Sequence, residues 1–99
     1  MAIRVRRSSG NVFADMGFPR EEAAHLLIRA DLMIHVTGLI EEHGLTQKAA
    51  AKALGVTQPR ISDLVRGRIE LFSIDTLVDM LSRLGVAVVL KTKRRSRVA

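Results

Sequence analysis

Cysteine, tryptophan and tyrosine are missing from this 99-residue chain, and phenylalanine occurs only three times. Without cysteine there is neither a disulfide framework nor a thiolate metal site, a composition consistent with a reducing cytoplasm. Three aromatic rings are few as platforms for unstacked bases, which counts against a stacking-based binder of RNA or single-stranded DNA. No apolar run reaches the roughly 18 residues that a membrane span needs. The opening MAIRVRRSSGN has no apolar stretch behind its charges and does not read as a secretory signal. The expectation is a soluble intracellular chain. At 47% hydrophobic content it has material for one small domain with an aliphatic core, and too little for a second.

Catalytic and metal-binding patterns are also lacking. His25, His35 and His43 do not have the i, i+4 spacing that brings two imidazoles to one metal, and they read as packed or exposed histidines. Glu41 and Glu42 are adjacent, so a helix points them in different directions and they make a poor acid–base pair. Neither a nucleophile elbow nor a glycine-rich phosphate cradle occurs. No enzyme, cofactor or metal is expected.

What is present is a divided charge. The net +6 conceals basic flanks, Arg4, Arg6 and Arg7 at one end and Lys91, Lys93, Arg94, Arg95 and Arg97 at the other. Between them, residues 8–90 hold eight bases against ten acids, a net of −2. Inside that body, residues 46–68 carry Lys48, Lys52, Arg60, Arg66 and Arg68 against Asp63 alone, a net of +4, leaving −6 for the remainder. A basic segment beside basic flanks suits phosphate contact, and an acidic remainder is either a solvated surface or a dock for a basic partner.

Residues 1–11 read as a flexible basic arm and residues 91–99 as a basic tail, leaving 12–90 as the domain. After Phe13 and Phe18, Pro19 suits a helix start and Glu21 and Glu22 suit its positive end. Leu26, Leu27, Ala30, Met33, Ile34, Leu39 and Ile40 then recur at helical spacing up to the cap Gly44, with Gly38 marking a bend or a break into two helices. Thr46, Thr57 and Ser73 open three further helices, the last ending at Gly85. Residues 86–93 read as a strand. Its partner is residues 3–5, residues 12–13 or a second subunit; the last is the simplest, since an unpaired edge is a pairing template.

In LTQKAAAKALGVTQPRISDLVRGR, residues 45–68, the core-facing set is Ala50, Leu54, Val56, Ile61 and Leu64, with small Ala51 where two helices approach and Gly55 at the turn between them. This is helix-turn-helix spacing. The segment resembles the helix-turn-helix of the Cro and phage-repressor group, the XRE family, with TQ opening the first helix and TQPRISDL as recognition helix. That resemblance implies an all-α, lambda-repressor-like bundle with a short C-terminal β-strand, and a homodimer that represses transcription from an operator in double-stranded DNA. A recognition helix sets its first turn in the major groove, which assigns Gln58, Pro59, Arg60 and Asp63 to base edges. Gln47 is similar to the family's phosphate-contacting glutamine; Lys48, Thr57, Arg66 and Arg68 join it along the backbone.

Over residues 11–91, on NVFADMGF and RGRIELFSIDTLVDML, the chain also resembles the antitoxins of host-inhibition-of-growth (HigBA-like) modules. This implies a bacterial, cytoplasmic protein, nucleoid-associated when bound to DNA, that regulates its own operon and neutralises a RelE-like ribonuclease toxin through Phe13, Phe18, Glu21 and Glu22. A stand-alone XRE regulator without a toxin is the alternative, and a protein-neutralising module that hardly binds DNA is a third reading.

Overall fold

The computed structural model describes residues 2–6, 12–92 and 94. Along them run β1 (Ala2–Arg6), α1 (Val12–Asp15), α2 (Arg20–Glu42), α3 (Gln47–Leu54), α4 (Gln58–Val65), a 3-10 turn (Ile69–Leu71), α5 (Ile74–Arg83) and β2 (Ala87–Lys91). Pro19 stands at the N-cap of α2 with φ −55°, and Glu21 and Glu22 occupy the first turn beside the positive end of the helix dipole. The helix is continuous through Gly38, so the break into two helices does not occur.

The buried side of α2 is Leu26, Leu32, Met33, Val36, Leu39 and Ile40, with Ala23 and Ala24 at its start. Leu27 and Ala30 are only half-buried, and Ile34, expected in the apolar set, is 67% exposed. At about 100° per residue, Ile34 lies one step round from Met33 and off the stripe. Averaged over 18 residues α2 reaches a mean hydropathy of 1.4, enough by length and composition to cross a membrane, although Arg29 and Asp31 interrupt it. Those apolar residues form the middle of the core, where Leu32 and Val36 meet Leu54, Ile61, Leu64, Phe72, Leu77 and Leu81. Each such side chain contributes roughly 1.5–3 kcal/mol through burial.

Local chemistry fixes the joints between the short helices. Thr46 accepts the N–H of Ala49 at 3.1 Å and opens α3. Gly55 closes α3 in the left-handed region, φ +67°, which lets the N–H of Val56 reach back to the carbonyl of Ala51 at 3.0 Å. Thr57 stands at the N-cap of α4 as expected, but its side chain makes no capping bond. Ser73 accepts the N–H of Thr76 at 3.1 Å and starts α5.

The ends of the chain differ from expectation. β1 pairs with β2 in parallel, with Ile3 opposite Val88 and Arg6 opposite Lys91. Residues 2–6 are therefore a strand and not an arm, the strand expected over residues 86–93 is present as Ala87–Lys91, and its partner is the candidate within the chain, residues 3–5, and not a second subunit. The alternative partner, residues 12–13, is helical in α1. Parallel strands need a crossover, and the whole helical body supplies it. Ile3, 7% exposed, is buried in the core together with Val86. Residues 1 and 7–11 of the expected arm, and 93 and 95–99 of the expected tail, lie outside the described residues.

Candidate DNA-binding surface

α4 is held by two residues, Ile61 at 0% and Leu64 at 1% exposure, spaced so that both fall on one side of the helix. Against them pack Ala50 and Ala51 of α3, whose small side chains let the two helices approach closely. Anchored in this way, α4 presents the opposite side outward. Gln58 and Pro59 are exposed in its first turn, and Ser62 and Asp63 follow half-buried one turn later. Gln47, Lys48, Thr57, Arg66 and Arg68 are all exposed on α3, at the ends of α4 or just after it. Among these side chains Asp63 is the only acid, so the surface carries excess positive charge suited to a polyphosphate backbone.

Arg60 sits differently. It is half-buried, and its Cζ lies 4.1 Å from the centroid of the Phe72 ring. Phe72 is 1% exposed and fixed in the core, so the stack restricts the guanidinium to one side of α4. Spacing along the recognition helix did not anticipate this, because Phe72 is contributed by the loop after the 3-10 turn. Two further residues went unnoticed in the sequence. Ser62 falls between Pro59 and Arg66 at helical spacing on the outward side. Arg29 occupies a place in the buried stripe of α2, three residues after Leu26 and four before Met33. A charged residue on an apolar stripe was the signal that could have found it.

The proposed partner residues come together at the other end of α2. Phe13 of α1 and Phe18 meet edge to face, with centroids 6.2 Å apart and planes at 71°. Glu21 and Glu22 are exposed just beyond them. The 23-residue α2 separates this corner from the start of α3 by about 30 Å at the usual helical rise.

Comparison with known proteins agrees with this geometry. The chain matches the helix-turn-helix domain family over residues 12–93. A solved structure assigned to the XRE family of transcriptional regulators is 34% identical, superposes with a TM-score of 0.69, and is matched over 79% of this chain and 90% of its own. None of the curated proteins compared with the chain matches it. With residues 47–65 folded as two helices about a left-handed glycine and a buried Ile61–Leu64 anchor, the chain belongs to the helix-turn-helix proteins of the XRE family of DNA-binding transcriptional regulators.

Proposed function

We propose that this regulator is a sequence-specific repressor acting as a homodimer on an operator in double-stranded DNA. The supporting observation is the exposed first turn of α4 carried on a buried Ile61–Leu64 anchor. Gln58 has the donor–acceptor pair that matches adenine, Asp63 accepts from cytosine N4, Arg60 matches guanine, and Pro59 offers apolar contact to a thymine methyl. Gln47, Lys48, Thr57, Arg66 and Arg68 hold the phosphates and set the register. The exposed Val89 and Leu90 on the two-stranded sheet supply apolar surface for a second copy. Selecting bound duplexes from a random pool and footprinting the winner tests the reading. Inverted half-sites about 10 bp apart, or a multiple of that, are expected because two recognition helices must enter one face of the groove. A single asymmetric half-site overturns the dimer.

The finer reading is an antitoxin that represses its own operon in a bacterial cytoplasm, associated with the nucleoid when bound. The resemblance over residues 11–91 motivates it. A physical support is the Phe13–Phe18 corner, where Val12 and Met16 are 55% and 68% exposed beside Glu21 and Glu22. An apolar patch rimmed by acids fits a basic protein, such as a RelE-like ribonuclease toxin.

A further inference from the structure

Between α2, α4, the 3-10 turn and α5 lies an open cleft of about 340 Å³ lined by Arg29, Arg60, Glu70, Phe72, Ser73 and Thr76. Two guanidiniums line this one cleft, and among the described residues neither forms an ion pair. Arg60 is held on the Phe72 ring, and the Nε of Arg29 is buried without a hydrogen-bond partner. The hydroxyls nearby are already engaged, Ser73 with Thr76 at 2.8 Å and with the first turn of α5. Glu70 is exposed and pairs with neither arginine. Two like charges beside one cleft, one with an unmatched buried donor, call for an anionic acceptor.

We propose that the cleft binds a phosphoryl group between Arg29 and Arg60, and that occupancy controls whether Arg60 is free to reach DNA. Arginine's planar fork suits a tetrahedral oxyanion, and two forks match its several oxygens. The cleft is at the lower end of the roughly 300–1,000 Å³ typical of small-molecule sites, which leaves space for the molecule carrying the phosphoryl group. Arg60 follows Gln58 and Pro59 in α4. A ligand that clamps it against Phe72 would remove one cation from the groove-facing turn. The group that exerts this control is carried by a small phosphorylated molecule; if the DNA backbone supplies it instead, the cleft is a backbone contact and not a switch. The coupling to DNA rests on the repressor reading, whereas phosphate binding does not.

The full chain, with its arginine Nε–H resonances observed by NMR, is titrated with sodium phosphate and with sodium chloride at matched ionic strength. Saturable shifts at Arg29 and Arg60 with phosphate alone are expected, weakened by about tenfold or more in Arg29→Met, which keeps the apolar stem and loses the fork. Arg29→Lys, which keeps the charge, should fall between the two, and circular dichroism verifies that each variant is folded. Duplex titrations identify the source. If the backbone supplies the group, Arg29→Met lowers the salt slope by about one and duplex displaces phosphate. If a free ligand supplies it, Arg29→Met leaves affinity in phosphate-free buffer unchanged and phosphate weakens only the wild-type complex. Saturable phosphate binding by a chain that ignores duplex DNA sinks the repressor reading and leaves the site standing. Equal responses to chloride and phosphate, or shifts that persist in folded Arg29→Met, overturn the site.

Discussion

A Cβ added to Gly55 would lie 3.0 Å from the Nη1 of Arg83, so the end of α5 rests on the turn of the helix-turn-helix. Two costs meet there, and they differ in size. The left-handed backbone at φ +67° penalises any residue with a Cβ by about 1–2 kcal/mol. The guanidinium is the far end of a mobile side chain and can swing aside. Gly55→Ala should therefore lose about 1–2 kcal/mol in urea unfolding, and adding Arg83→Ala should not restore it. Recovery in the double variant would place the cost in the contact instead.

Readers and positioners on the surface should separate in binding assays. Gln58→Ala or Asp63→Ala should each lose about 1–3 kcal/mol on the best duplex and relax preference at one base pair. Lys48→Ala or Arg66→Ala should weaken every duplex alike and reduce the salt slope by about one. Competition titrations at several salt concentrations against single-base operator variants distinguish the two patterns. Equal relaxation by both pairs would mean that α4 docks in another orientation.

Ile3 decides whether the N-terminal strand belongs to the folded unit. It is 7% exposed, opposite Val88, at the rim of the core. Ile3→Ala should cost about 2 kcal/mol, near the low end for large-to-small core changes because a rim site collapses readily. The shift is read from the midpoint of chemical unfolding at unchanged slope. A free arm would give no shift at all.

The parts of the fold legible in the sequence are those governed by near neighbours. Thr46 and Ser73 cap within three residues, Gly55 acts within one turn, and Ile61 with Leu64 defines a helix side by spacing alone. The exposure of Gln58, Pro59, Lys48 and Arg66 follows from that same periodicity. Contacts between distant segments were left open, as with residues 3–5 among three candidate partners for the C-terminal strand, or missed. Ile3 meets Val88 across 85 positions, and a run in which Ile3 and Val5 alternate with Arg4 and Arg6 at a basic terminus looks the same whether it pairs or stays free. Arg60 stacks on Phe72, 12 residues away in another element, so helical spacing assigned its direction incompletely. Arg29 was masked by the strong apolar pattern around it.

The partner surface supports the last prediction. Phe18 is 37% exposed and braced edge to face by Phe13, while Glu21 and Glu22 stand free in the first turn of α2. The rim carboxylates would speed encounter with a basic protein, and the apolar corner would control residence time, since desolvated aromatic anchors carry most interface energy. Glu21→Lys with Glu22→Lys should therefore slow association and make it less salt-sensitive, whereas Phe18→Ala should speed dissociation. Both sets lie about 30 Å along α2 from the start of α3, so operator affinity should stay unchanged. Co-expression with the product of an adjacent small reading frame provides the assay, through growth rescue and a co-purifying complex followed by binding kinetics. Rescue that survives all three substitutions moves the contact elsewhere on the chain. A locus without a toxic neighbour makes the protein a stand-alone regulator whose acidic corner is simply solvated.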